Sequence, residues 1–121
     1  MKRVLIVEDD PTWILLLEQY AGRLGWESVV AHSPQLAMDA LDDQLVDVIV
    51  LDMLLAVETG MALLNELRGY DDLAAIPVVV FTGMSDLTLE VLSSYGVRAV
   101  LEKATATPED VVQALREVTN G

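Results

Sequence analysis

The chain has 121 residues and no cysteine, and sets 7 Lys+Arg against 20 Asp+Glu for a formal charge of −13. That length suits one domain, and a 53% hydrophobic fraction argues for a folded core over an acidic disordered chain. Disulfide scaffolds and thiolate metal sites are excluded. No apolar run approaches the roughly 20 residues that cross a bilayer, and the shortage of Lys and Arg disfavours direct contact with nucleic acid or a membrane surface, whose phosphates call for cations. Metal ions and basic partner surfaces suit this charge better.

The chain opens on Val4-Leu5-Ile6-Val7, an apolar strand without a signal-peptide pattern, so a cytoplasmic location is expected. Asp10 before Pro11 is a capping residue followed by proline at the first helical position, and predicts a helix over 11–24 that stops at Gly25. Ser28 to Ala31 follows as the second strand, and Ser33-Pro34 starts a helix over 34–43. Val46 to Leu51 is the third strand, a helix is expected over 58–68 before Gly69, and Val78 to Phe81 is the fourth strand. A helix over 85–95 ends at Gly96, and Val97 to Leu101 is the fifth strand. Thr107-Pro108 begins the last helix, over 108–119, with Glu109 and Asp110 where the helix dipole favours acids. Strands that read as unbroken apolar runs, without alternation, are covered on both faces in a parallel sheet. Five such units with short connections predict a doubly wound α/β sandwich, and with no linker or repeat a single domain over 1–121 is expected.

In an open α/β sheet the site lies beyond the carboxyl ends of the strands. Those ends carry Glu8-Asp9-Asp10, Asp52, Thr82-Gly83 and Glu102-Lys103. Carboxylates brought together repel, so a cluster of Glu8, Asp9 and Asp52 calls for a shared proton or a cation. Oxygen donors point to a hard metal. Mg²⁺, which keeps several waters and uses one or two carboxylates with a phosphate, suits them better than a closed Ca²⁺ cage. A carboxylate can also be the nucleophile in phosphoryl transfer, with a nearby lysine pairing to the transferred group.

These residues resemble the receiver domain of two-component response regulators over essentially the whole chain. Val4-Leu5-Ile6-Val7-Glu8-Asp9-Asp10 looks like that family's first strand and acidic pair. Asp47-Val48-Ile49-Val50-Leu51-Asp52 looks like its third strand ending in the phosphorylated aspartate, and Ile76 to Thr82 like its fourth strand with the switch hydroxyl. Lys103 stands at the position of the family's lysine. The resemblance implies a flavodoxin-like three-layer α/β/α sandwich with strand order 2-1-3-4-5. It also implies a switch in which a histidine kinase or phosphotransfer protein donates phosphoryl to Asp52 and a downstream target protein reads the result. Mg²⁺ would be held by Asp9, Asp52 and the Leu54 carbonyl, and by Glu8 through water. Lys103, the Thr82 hydroxyl and the Gly83 N–H would contact phosphoryl oxygens. Small Gly83 would leave the pocket open, whereas Leu54 and Met84 would limit water access.

Three positions depart from the family. Ala104 follows Lys103 where proline, commonly with a cis bond, is usual, which predicts either a trans bond with a shifted loop or a strained cis one. Val100 replaces the aromatic switch residue, so no ring can swing between rotamers. Ala56 takes the place of a proline, although Gly60 is present where a glycine is expected. Asp10 reads as an N-cap, and His32, the only histidine, as a surface residue. Trp13, one turn from the acidic cluster, reads as helix packing that would still report metal binding by fluorescence. Leu87, Val91, Leu92 and Tyr95 share a helical stripe and read as core, with Leu89 off it.

Other readings fit less well. A haloacid-dehalogenase-like phosphohydrolase carries a second aspartate two residues after its nucleophile, but Met53 and Leu54 follow Asp52. A flavodoxin-like cofactor carrier would cradle phosphate in its first loop, and Glu8-Asp9-Asp10 would repel it. A receiver-like module that no longer uses phosphotransfer and binds partners constitutively is the alternative that Val100 and Ala104 keep open.

Overall fold

The computed structural model describes residues 1–55 and 59–120. Strands β1 (Arg3–Val7), β2 (Glu27–Ala31), β3 (Val48–Leu51), β4 (Val78–Thr82) and β5 (Val97–Glu102) form one parallel sheet in the order β2-β1-β3-β4-β5. Helices α1 (Pro11–Arg23), α2 (Pro34–Asp43), α3 (Gly60–Leu67), the single turn α4 (Asp71–Ala74), α5 (Leu89–Leu92) and α6 (Pro108–Asn120) connect and flank them. The flavodoxin-like sandwich and its strand order are as expected.

Alternate strand residues feed two separate cores, which is why the strands read as continuous apolar runs. Leu5, Val7, Ile49, Leu51, Val78 and Val80 pack with Ala37, Met38 and Leu41 of α2 and Leu63, Leu64 and Leu67 of α3. Val4, Ile6, Val48, Val50, Val79 and Phe81 face the other way, onto Leu17, Tyr20 and Ala21 of α1 and Val111 and Leu115 of α6. Each large side chain buried in this way contributes about 1.5–3 kcal/mol. No helix among the described residues is long and apolar enough to cross a membrane.

The caps form where the sequence places them. The Thr12 N–H donates to Asp10 Oδ1 at 2.9 Å and the Leu36 N–H to Ser33 Oγ at 3.2 Å. Thr107 and Asp110 exchange side-chain-to-backbone bonds of 2.9 and 3.1 Å, a reciprocal capping box. Gly96 adopts a left-handed φ of 82°, which favours a residue without Cβ.

The helix expected over 85–95 is corrected. It is only α5, Leu89–Leu92, followed by a 3₁₀ turn at Ser93–Tyr95. Thr88 is extended and its Oγ1 accepts the Val91 N–H at 3.3 Å, so a capping residue starts the helix four positions late. Leu87 consequently lies in a loop, and Val91, expected in the core, is 64% exposed. Leu92 is buried, and the half-buried Leu87 and Tyr95 still pack against the core. The third strand begins at Val48, two residues later than expected, and the turn α4 is not among the expected elements. Ala56 and the expected helix start at Glu58 lie outside the described residues.

Candidate functional site

Strand register decides which side chains meet at the carboxyl edge of the sheet. Val7 lies opposite both Ala31 and Leu51, and Leu51 lies opposite Val80. Just past these residues the Glu8 N–H donates to the Ala31 carbonyl at 3.1 Å and the Asp52 N–H to the Val7 carbonyl at 3.0 Å. Between β4 and β5 the pairing shifts, with Val78 opposite Val97 but Val79 opposite Ala99. Since side-chain facing has a period of two, this one-residue shift sets which face residues 99–103 present. It puts Thr82 opposite Glu102, and the Lys103 N–H donates to the Thr82 carbonyl at 2.8 Å.

Glu8, Asp9 and Asp52 each offer a carboxylate oxygen within 4.8 Å of the others. Lys103 Nζ lies 2.6 Å from Glu8 Oε2 and 3.1 Å from Asp52 Oδ2. Glu8 and Asp52 are only 1% and 4% exposed. Their second oxygens are held by the backbone: Glu8 Oε1 accepts the N–H groups of Asp9 and Asp10, each at 3.1 Å, and Asp52 Oδ1 accepts that of Leu54 at 3.0 Å. Burial pushes the Glu8 carboxyl above its ordinary range, against the hydrogen bonds from Lys103 and the Asp10 N–H, which lower it; the Asp52 charge raises it further. Three carboxylates and one ammonium leave a formal −2 when all are ionised. An all-oxygen donor set with that residual charge fits a hard divalent cation.

Thr82, at the end of β4, is fully buried, and its Oγ1 accepts the Met84 N–H at 3.3 Å. Gly83 is exposed, and a Cβ built there meets nothing within 4 Å, so the opening on that side does not depend on its being glycine. Leu54, 54% exposed, and Met84 line an apolar cavity of about 310 Å³ with Met53, Met61, Leu87 and Val91. Peptide bonds among the described residues are all trans, which resolves Lys103–Ala104 as trans, and the Thr105 and Ala106 N–H groups turn back onto the Glu102 carbonyl. Val100 is half-buried against the core that includes Val78 and Leu92. His32 is exposed, as expected.

Two features carry more than the sequence suggested. Gly60 is sterically required: a Cβ there would lie 2.8 Å from Met53 Sδ and 2.9 Å from the Asp52 carbonyl oxygen. Trp13, read as helix packing, also faces the site. Its ring meets Phe81 edge-on, with centroids 5.1 Å apart, and Lys103 Nζ lies 5.2 Å from the Trp13 centroid and 6.0 Å from that of Phe81. The available signal was spacing, since Trp13 stands four residues after Asp9 and Phe81 immediately precedes Thr82.

The sequence pattern of the response regulator receiver domain matches residues 4–116. A protein-glutamate methylesterase/protein-glutamine glutaminase of Anaeromyxobacter dehalogenans is 33% identical over 105 residues, covering 84% of this chain and 29% of that protein. The chain spans between 26% and 37% of the length of the curated relatives it matches. Among solved structures, the signal receiver domain of a signal transduction histidine kinase from Syntrophus aciditrophicus superposes with a TM-score of 0.87 at 27% identity, covering all of this chain and 92% of that one. The response regulator protein TrrA of Thermotoga maritima, in complex with Mg²⁺-BeF, superposes with a TM-score of 0.84 at 21% identity over 98% of this chain and 99% of that one.

Proposed function

Because the chain belongs to the response regulator receiver domain family, we propose that Asp52 accepts a phosphoryl group from a histidine kinase or phosphotransfer protein and that the modified domain switches its binding to a downstream target protein. The observation that carries this reading is the convergence of Glu8, Asp9 and Asp52 within 4.8 Å, with Lys103 Nζ 3.1 Å from Asp52. A carboxylate oxygen of Asp52 attacks phosphorus and forms an acyl phosphate. The bond from phosphorus to the donor breaks, and the donor leaves with the electron pair. Lys103, already against Asp52, exchanges a carboxylate contact for a phosphoryl oxygen. The Thr82 hydroxyl turns from the Met84 N–H to donate to a second oxygen, and the Gly83 N–H donates to a third. Leu54 and Met84 bound the approach of water and so set the lifetime of the acyl phosphate.

Mg²⁺ would be held by Asp9, Asp52 and the Leu54 carbonyl, with Glu8 acting through water, and when bound supplies the positive charge that lets a phosphoryl dianion join this acidic cluster. The Mg²⁺-BeF complex of the Thermotoga relative supports that choice. We further propose that residues 1–121 act as one receiver module in the cytoplasm, without direct contact to nucleic acid or membrane.

The test is intact-mass analysis after incubation with acetyl phosphate and Mg²⁺. The native chain is expected to gain one phosphoryl group, and Asp52→Asn none. Label on Asp52→Asn would overturn the acceptor. A native chain that binds Mg²⁺ but stays unlabelled would mark a constitutive protein-binding module.

A further inference from the structure

The Lys103 ammonium is enclosed on two sides of different chemistry. Toward the strand ends it meets the carboxylates of Glu8 and Asp52, and toward α1 it meets the rings of Trp13 and Phe81, 5.2 and 6.0 Å from their centroids. Both distances fall at or within the roughly 6 Å over which a ring face attracts a cation, and tryptophan is the strongest such partner. Both rings are anchored. Phe81 is 1% exposed in the core, and Trp13 sits in the first turn of α1, just after the Asp10 cap, edge-on to Phe81.

Lysine is a flexible four-carbon stem carrying a strongly hydrated point charge, so its reach alone does not fix where the charge sits. The carboxylate contacts change whenever the charge of the pocket changes. The ring contact involves neither carboxylate, so the attraction does not depend on either of their charges. We propose that Trp13, backed by Phe81, is a positioning residue that holds the Lys103 ammonium over the acidic pocket through cation–π attraction. This deepens the phosphoacceptor reading and, for its kinetic arm, rests on it.

The test uses a Trp26→Phe background, so that Trp13 is the sole tryptophan. Fluorinated tryptophans carrying increasing numbers of fluorines are incorporated there, which withdraws charge from the ring face with little change of size. The phosphorylation rate with acetyl phosphate and Mg²⁺ is expected to fall stepwise, by about 3- to 10-fold at the highest fluorination. Trp13→Leu should lose as much and Trp13→Phe retain most of the rate. Independently, the Lys103 ε-methylene protons are expected to show an upfield ring-current shift in NMR spectra of the metal-free chain, lost in Trp13→Leu. Equal rates across the fluorinated series, or an unshifted Lys103 in the native chain, would overturn the proposal. A native chain that takes no label would defeat the phosphoacceptor reading instead, and the ring-current shift alone would then decide whether Trp13 holds the ammonium.

Discussion

Lys103→Met isolates the electrostatics of the site, because methionine keeps most of the apolar stem against Trp13 and Phe81 and removes only the charge. The substitution leaves Glu8 and Asp52, 1% and 4% exposed, as two buried carboxylates without their shared ammonium. Removing one partner of a buried ion pair costs about 3–5 kcal/mol. Glu8, whose carboxyl is already pushed upward by burial, relieves part of this by taking a proton, so a loss near 3 kcal/mol is expected at pH 7.5 without metal. An unfolding entropy of about 2.1 cal/mol/K per residue gives roughly 0.25 kcal/mol/K for 121 residues, hence a fall in Tm of about 12 °C. Two further effects follow. The deficit shrinks toward pH 5 as the orphaned Glu8 carboxyl, already raised by burial, protonates. Mg²⁺ also stabilises the variant more than the native chain at equal concentration, because the ion no longer competes with an ammonium for the same oxygens. Binding at a hundredfold excess over Kd returns about 2.7 kcal/mol. Urea titrations followed by tryptophan fluorescence, with and without Mg²⁺ at both pH values, measure all three. An unchanged metal-free midpoint, or a Mg²⁺ shift no larger than in the native chain, would refute the reasoning.

The raised Glu8 carboxyl gives opposite pH trends for metal binding and for metal-free stability. The folded state binds more protons than the unfolded state between the ordinary Glu value and the raised one, so the stability owed to Glu8 falls as pH rises through that window. Mg²⁺ affinity instead falls as pH drops through it, by about tenfold per unit if one proton is displaced per ion; calorimetric titrations at pH 7.5 and 5.5 check this. Gly60→Ala drives a methyl into Met53 Sδ and the Asp52 carbonyl, an overpacking that costs about 1–3 kcal/mol and is measured by the urea midpoint. Phosphorylation of Asp52 is expected to change amide exchange over residues 84–92 and to leave that of 97–102 unchanged, as read by mass spectrometry of peptic fragments.

The strand ends were legible because several local signals agree at each of them. Continuous β-branched runs mark double-sided burial, and cap-proline pairs at Asp10-Pro11, Ser33-Pro34 and Thr107-Pro108 fix helix starts to the residue. The edge rule then brings Glu8, Asp9, Asp52, Thr82 and Lys103 together, although it does not supply the register shift at Val78/Val79 that turns Lys103 to its face. The segment 85–95 departs from the expected helix because its apolar stripe fits a helical period while Thr88 offers a local cap that the period cannot show. Spacing places Trp13 near the acidic cluster, but its contact with Lys103 joins two elements far apart in sequence, and spacing alone does not show that the ring, edge-on to Phe81, lies 5.2 Å from the ammonium.

Where a signal leaves this domain depends on which strand ends are tied down. β5 is paired with β4 along its length, and Val100 lies half-buried against the core. A β-branched side chain is restricted at χ1 and carries no ring to swing between exposed and buried rotamers, so Val100 does not supply an aromatic gate. The end of β4 differs. Thr82 Oγ1 holds the Met84 N–H, and beyond it the chain reaches a helix of four residues, against 13 in each of α1 and α6. A helix that short has little stability of its own and belongs to the easily opened part of the structure. Were Thr82 to turn to a phosphoryl oxygen, as proposed above, the Met84 N–H would lose its acceptor. The cavity wall that Met84, Leu87 and Val91 share with Leu54 and Met61 would then be free to rearrange beside a phosphorylated Asp52. On the proposed phosphoacceptor reading, charge added at Asp52 would thereby be converted into a change of apolar surface within a few residues of the site, without an aromatic side chain on β5.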